Sequence, residues 1–451
     1  MTSSPSDTHV SFHAGSATIA QDVSNPAKDR KSHGHPTETM RALVWNAKNN
    51  VQLIETAKPV LFDNNKRDAI VRVTGTTICG SDLHLLHGAI VQCESGDILG
   101  HEFCGVVEEI GENAENNPRG FKVGDRVVAS FQIACGDCYY CKQKLSSQCE
   151  RTNSNETARG MYGEQTAGMF GYSHFTGGFA GGQAEYVRVP NADVNLLPLP
   201  EDVPDEKGLF LSDVLATSYH CVVDTGIKKG DIVGIWGAGP IGLMCADYSF
   251  MEGASRVIMI DNNWRLDYVK SKVPKVESLD FSIYEDVPAK LREMTKENGV
   301  NGGLNVALEC VAGEYPKTSA QKKKLAAGIA TDTSDIVNEM IKSVKSFGRC
   351  GVTGVYVGSC DDFNIGSIME RGIRFFGNGQ APVHMYWEDL LKKIQSGEID
   401  PLKMVSHRCK LEDVETVYKK FEAREDGLQK IFIQTRFSDP PAVGTPQLTV
   451  Y

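Results

Sequence analysis

Between residues 41 and 205, apolar residues come in short runs cut off by Gly, Pro and Asp. The runs are Ala42–Trp45, Val51–Glu55, Ala69–Thr74, Cys104–Ile110, Arg126–Ser130 and Ala184–Val189. Short runs bounded by turn formers predict strands, so this region reads as a β-rich domain. From about residue 206 the pattern changes to strand–helix alternation. Strands are expected at Asp231–Trp236, Arg256–Ile260, Leu304–Leu308 and Arg349–Val355, with helices at Ile241–Met251, Trp264–Ser271 and around Ile336–Val344. That alternation predicts a parallel α/β domain. After 379 come amphipathic helices near Trp387–Ile394 and Val414–Ala423, in a segment expected to return to the first region. The domain reading is 41–214 with 379–451, interrupted by 215–378. Residues 1–40 lack the apolar core of a secretory signal, and Asp7, Asp22 and Asp29 fit poorly with a transit peptide. They are expected to form a disordered tail. The polar stretch Gly313–Ser334, with its Lys322–Lys324 run, reads as a solvated loop.

Composition narrows the function classes. The chain has 451 residues, 41% of them hydrophobic, enough to bury large cores. Its net charge of -11 argues against a nucleic-acid partner and against electrostatic binding to a membrane. The most apolar stretch, Ile232–Met251, is broken by four glycines and Pro240 and is not a membrane span. Thirteen cysteines with no exit signal point to a cytoplasmic chain with reduced thiols rather than a disulfide scaffold.

Asp231–Trp236 runs into Gly237-Ala-Gly239-Pro240-Ile241-Gly242 and then a helix. In this G-x-G-x-x-G turn, Gly237 permits the tight bend, Gly239 lets a pyrophosphate approach and Gly242 lets helix and strand pack closely. The following helix N-terminus offers free N–H groups to phosphates. Asp261 ends the next strand, 19 residues after Gly242, where an acid accepts from adenosine ribose hydroxyls. A carboxylate there repels a 2′-phosphate, so NAD is favoured over NADP.

Cys135, Cys138, Cys141 and Cys149 place four soft ligands within 15 residues. Four protein ligands make a closed tetrahedral site, which suits structural zinc. An iron–sulfur cluster also takes four cysteines, but the final gap of seven residues matches neither ferredoxin spacing. A second candidate site pairs Cys79, in Cys79-Gly-Ser81-Asp82-Leu-His84, with His101, in Gly-His101-Glu102. A thiolate and an imidazole are two of the three protein ligands of a catalytic zinc. Spacing alone supplies no third, and a buried Cys beside a satisfied His fits equally well at this point.

In this order, the Cys79 and Gly-His-Glu segments, the four-cysteine loop, Gly182-Gln-Ala-Glu-Tyr186 and the glycine fingerprint resemble the zinc-dependent medium-chain alcohol dehydrogenases. The resemblance runs from about Met40 to about Arg436. It implies a GroES-like β-rich catalytic domain plus a doubly wound Rossmann coenzyme domain. It also implies one catalytic and one structural Zn²⁺, NAD, and a homo-oligomer, dimer or tetramer. The family's third catalytic ligand falls in Leu211–Thr217, at Asp213, where alcohol dehydrogenases proper carry Cys. An aspartate there, and the insertion near Gly313–Ser334, resemble the glutathione-independent formaldehyde dehydrogenase branch.

The resemblance further implies roles for single residues. Ser81 bonds the substrate oxygen and His84 receives its proton through the coenzyme ribose. Asp82 orients His101, Glu102 is a nearby acid and Thr217 touches the nicotinamide. The implied reaction is hydride transfer between a small alcohol or aldehyde (hydrate) and NAD. A secondary-alcohol or polyol dehydrogenase is the alternative. A non-catalytic nucleotide-binding protein is more remote, because Cys79, His101 and Asp213 are all present.

Overall fold

The computed structural model describes residues 33–62, 66–114, 117–262, 264–297, 301–312 and 332–451, with 319, 322 and 323. The expected tail up to residue 32 and most of the loop at 313–334 lie outside the described residues. The chain divides into two compact units, one made of residues up to Asp213 with Pro382–Tyr451, the other of Val214–Ala381.

The first unit begins with an antiparallel pair, β1 (Gly34–Ala47) and β2 (Asn50–Pro59). The strand thus starts six residues before Met40, which corrects the tail boundary at this end. The cause is an irregularity between Gly34 and Thr39 that leaves Pro36, Thr37 and Glu38 exposed, so no buried face announces the strand. Strand β1 also pairs with β4 (Asp97–Ile98).

The main sheet of this unit gathers β3 (Ala69–Thr76), β5 (Phe103–Ile110), β6 (Arg126–Ala129), β9 (Tyr186–Val189) and β10 (Leu196–Pro198). The C-terminal segment adds β17 (Val405–Lys410) and β18 (Lys430–Gln434), the latter antiparallel to β3. Strands β7 (Gln132–Ile133) and β8 (Gly168–Met169) form a small separate pair. Val71, Val73, Phe103, Phe170 and Phe179 fill the centre. The return is also fastened ionically. Arg408 on β17, buried, pairs with buried Glu206 and donates to Gln434 Oε1 at 2.7 Å.

The second unit is one parallel sheet of β11 (Ile232–Trp236), β12 (Arg256–Asp261), β13 (Glu277–Asp280), β14 (Leu304–Glu309), β15 (Val344–Val352) and β16 (Arg374–Gly377). Their spatial order, β13-β12-β11-β14-β15-β16, reverses direction between β11 and β14. That doubly wound order opens a crevice at the carboxyl ends of those two strands. Strand β11 is buried at all five residues, the continuous apolar run expected of a strand covered on both faces.

Candidate active site and four-thiol knuckle

After β3 the chain turns into helix α1 (Gly80–Leu86), with Cys79 as its extended N-cap. Asp82 Oδ2 accepts the Cys79 N–H at 2.8 Å, which fixes the helix start and the thiol with it. His101 and Glu102 lie just before β5. Asp213 joins a 3₁₀ turn, Leu209–Ser212, to helix α2 (Val214–Asp224). The Ser212 carbonyl accepts from Phe131 N–H at 3.0 Å, tying that junction to the β-rich unit.

Cys79 Sγ, a His101 ring nitrogen and one carboxylate oxygen each from Glu102 and Asp213 lie within 4.8 Å of one another. His101 Nε2 is 3.3 Å from Asp213 Oδ2 and 3.7 Å from Glu102 Oε1. His101 is 1% exposed, yet neither ring nitrogen has a hydrogen-bond partner. Orphaned buried nitrogens are rare and need an explanation. Here Nδ1 faces Asp82 Oδ1 at 3.4 Å while Nε2 points among the thiol and the two carboxylates. One nitrogen beside an orienting carboxylate and the other toward a thiol–carboxylate cluster is the pattern of a metal-ligating histidine. Burial pushes the His101 pKa down, but the Tyr172 phenol, Asp82 and Asp213 together carry it well above its ordinary value. The surroundings favour positive charge, and the sulfur, nitrogen and oxygen donors fit zinc.

Asp82 serves two purposes, capping α1 through Oδ2 and facing His101 through Oδ1. Its position is held from behind. Gln183 Nε2 donates to Asp82 Oδ2 at 3.3 Å and Tyr418 Oη donates to Gln183 Oε1 at 2.8 Å. Ser81 Oγ lies 3.8 Å from Cys79 Sγ, and His84, one turn along, is buried rather than superficial.

Two residues here gave no signal in the sequence. Tyr172 packs edge-on to the His101 ring, with centroids 5.0 Å apart. Lys430, on β18 and 1% exposed, donates from Nζ to Glu102 Oε1 at 2.5 Å. Burial pushes the lysine pKa down, but Glu102 outweighs it and holds the ammonium charged. Removing one partner of a buried pair costs roughly 3–5 kcal/mol because the other charge is stranded. Lys430→Met is therefore expected to lower the unfolding free energy by about that amount. Adding Glu102→Gln should recover part of the loss in denaturant titration; equal loss in single and double variants would show that the pair does not matter.

The four knuckle cysteines also converge, with all four Sγ atoms within 4.8 Å of one another and Cys135 Sγ 3.9 Å from Cys141 Sγ. Backbone N–H groups of Cys138 and Cys135 donate to Cys135 and Cys149 Sγ, each at 3.4 Å. Four sulfurs with amide donors behind them fit a tetrahedral thiolate site.

In the other unit, Gly237 has φ 100° and a Cβ on Gly242 would lie 1.8 Å from Gly237 O, so the turn admits no side chain there. Gly239 faces open space and caps helix α3 (Pro240–Met251), with Pro240 in its first turn and Ile241 next. Asp261 ends β12, and its Oδ2 accepts from Ala238 N–H at 2.6 Å. The structure therefore brings the predicted acid to the fingerprint itself. Thr217 is buried in the first turn of α2.

A β-rich unit with a Cys–His–Asp cluster and a four-thiol knuckle, in one chain with a parallel sheet and a G-x-G-x-x-G turn, defines a metal-site protein of the dinucleotide-fold class. Residues 65–201 match the family model for the alcohol dehydrogenase GroES-like domain. A zinc-type alcohol dehydrogenase-like protein of Schizosaccharomyces pombe is 37% identical over 396 residues, covering 87% of this chain and 90% of that protein. A glutathione-independent formaldehyde dehydrogenase of Pseudomonas aeruginosa is 32% identical over 419 residues, covering 87% and 96%. The solved alcohol dehydrogenase of Thermus sp. ATN1 superposes with a TM-score of 0.72 at 31% identity, covering 88% and 100%. The chain belongs to the zinc-type alcohol dehydrogenase family.

Proposed function

We propose that this protein is a zinc- and NAD-dependent dehydrogenase that moves hydride between a small alcohol or aldehyde hydrate and NAD, with formaldehyde as substrate and no need of glutathione. The observation that carries this reading is the meeting of Asp213 with Cys79 and the buried His101 ring. An aspartate in that place, and relatives that include glutathione-independent formaldehyde dehydrogenases, support the substrate class.

Cys79, His101 and Asp213 would hold one zinc, and Cys135, Cys138, Cys141 and Cys149 a second. Zinc at the first site would supply Lewis acidity toward a substrate oxygen. Ser81 hydrogen-bonds that oxygen and His84 takes up its proton, a task suited to an imidazole. Asp82 steadies His101. Glu102 is held by Lys430 and acts as a neighbouring acid. Gly237, Gly239, Pro240, Ile241 and Gly242 cradle the pyrophosphate, Asp261 accepts from the adenosine ribose and Thr217 borders the nicotinamide. We further infer a cytoplasmic homo-oligomer, dimer or tetramer. No helix among the described residues is long and apolar enough to cross a membrane.

NADH formation from a panel of small alcohols and aldehydes, with and without glutathione, tests the reading. Formaldehyde turnover without glutathione is expected. Activity confined to secondary alcohols or polyols would replace it with the alternative. Because the Asp261 carboxylate repels a 2′-phosphate, Asp261→Ala should lower the NAD-over-NADP ratio of kcat/KM by about tenfold or more. An unchanged ratio removes Asp261 from coenzyme choice.

A further inference from the structure

Eight of the thirteen cysteines have no part in the reading above. Three of these meet in the α/β unit: Cys221 on α2, Cys245 on α3 and Cys310 just after β14 have Sγ atoms within 4.8 Å of one another. Cys93, Cys104, Cys350, Cys360 and Cys409 join no such group among the described residues. Cys221 and Cys245 are fully buried, whereas Cys310 is partly exposed and lies 4.0 Å from Cys245, sulfur to sulfur. Cys310 is thus the one residue of the three with any exposed surface.

Its place in the fold ties it to the glycine turn. Cys310 N–H donates to the Trp236 carbonyl at 2.9 Å, and its own carbonyl lies 2.7 Å from where a Gly237 Cβ would stand. Cys245 sits on the helix that the same turn begins. We propose that Cys310, Cys245 and Cys221 form a peroxide-responsive thiol site, in which oxidation links Cys310 to a buried thiol and weakens dinucleotide binding. The second half of this proposal rests on the coenzyme reading given under Proposed function.

Hydrogen bonding favours a linked pair over a bound metal. Cys245 donates to the Ser218 carbonyl at 3.5 Å, a contact that suits a thiol and not a thiolate. A disulfide adds no charge.

The chemistry balances with a hydroperoxide as oxidant. Cys310, on losing its proton, attacks one peroxide oxygen, the O–O bond breaks and hydroxide leaves, taking up a proton to become water. A buried thiol, losing its proton, attacks the Cys310 sulfenic sulfur. The S–O bond breaks and a second water departs. Two thiols lose two electrons and two protons, and hydrogen peroxide becomes two waters. The sulfurs must close from 4.0 Å to about 2.05 Å. Cys245 is locked in a helix, so the Cys310 end moves and pulls on Trp236 and Gly237.

The test uses the full-length, zinc-loaded chain and hydrogen peroxide at doses that leave zinc content unchanged. Non-reducing peptide mapping should show Cys310 joined to Cys245 or Cys221. NADH binding by calorimetry should weaken about tenfold and recover with dithiothreitol, while Cys310→Ser protein keeps its affinity through the same treatment. Absence of any Cys310 disulfide overturns the proposal, as does equal loss of affinity in Cys310→Ser protein or a third metal ion held by these thiols. If the reduced protein does not bind NADH at all, the coenzyme reading fails, and the peptide map still decides the thiol site.

Discussion

Asp213→Ala is expected to reduce turnover by on the order of a thousandfold or more while NADH affinity stays within about twofold of the parent, since a metal site supplies several kcal/mol of barrier lowering. The reasoning starts from the donors. Cys79, His101 and Asp213 are brought together from three separate parts of the chain. Removing the aspartate leaves one thiolate and one imidazole facing Glu102, which Lys430 already engages at 2.5 Å. Glu102 is thus poorly placed to substitute. Asp213→Cys, which restores the donor type of the alcohol dehydrogenases proper, should regain more activity than Asp213→Ala. Steady-state rates with coenzyme titrations on the three proteins check this. Undiminished turnover in Asp213→Ala takes Asp213 out of the ligand set.

The second large effect is expected at the knuckle. Cys138→Ser should lower zinc content by one equivalent per chain and destabilise the β-rich unit by at least about 3 kcal/mol. For a unit of this size that corresponds to a drop of roughly 6–12 °C in Tm. The four sulfurs share one small volume and the backbone donors of Cys135 and Cys138 are aimed at them. Without metal, three remaining thiols and those amides lose their common partner. Metal analysis with differential scanning calorimetry reads both quantities. A variant that keeps full zinc content and Tm would show that the knuckle holds no structural ion.

Much of this was legible in the sequence because the relevant signals are local. The glycine fingerprint, its flanking strand and helix, and the four-cysteine spacing each occupy one short stretch, and each corresponds to one local structure. Strands β13, β16, β17 and β18 were not legible. β13 and β16 have only four residues each, and β16 is largely exposed at the sheet edge. β17 and β18 carry Arg408 and Lys430, charged residues that are buried only because Glu206 and Glu102 meet them from distant parts of the chain. Such pairing has no sequence period. The same holds for Asp213, which looks like an ordinary acid before a helix and becomes distinctive only beside Cys79 and His101. Tyr172 lies in an irregular loop, where no pattern points to the imidazole it packs against. Asp82 shows the opposite case: the resemblance implied that it orients His101, and one of its oxygens faces that ring while the other caps the helix.

The most direct test of the central claim is anomalous diffraction at the zinc edge from crystals of the purified chain. Two peaks are expected, one among the four knuckle sulfurs and one bounded by Cys79 Sγ, His101 Nε2 and an Asp213 oxygen. A single peak at the knuckle, or a second peak that Asp213 does not touch, would contradict it.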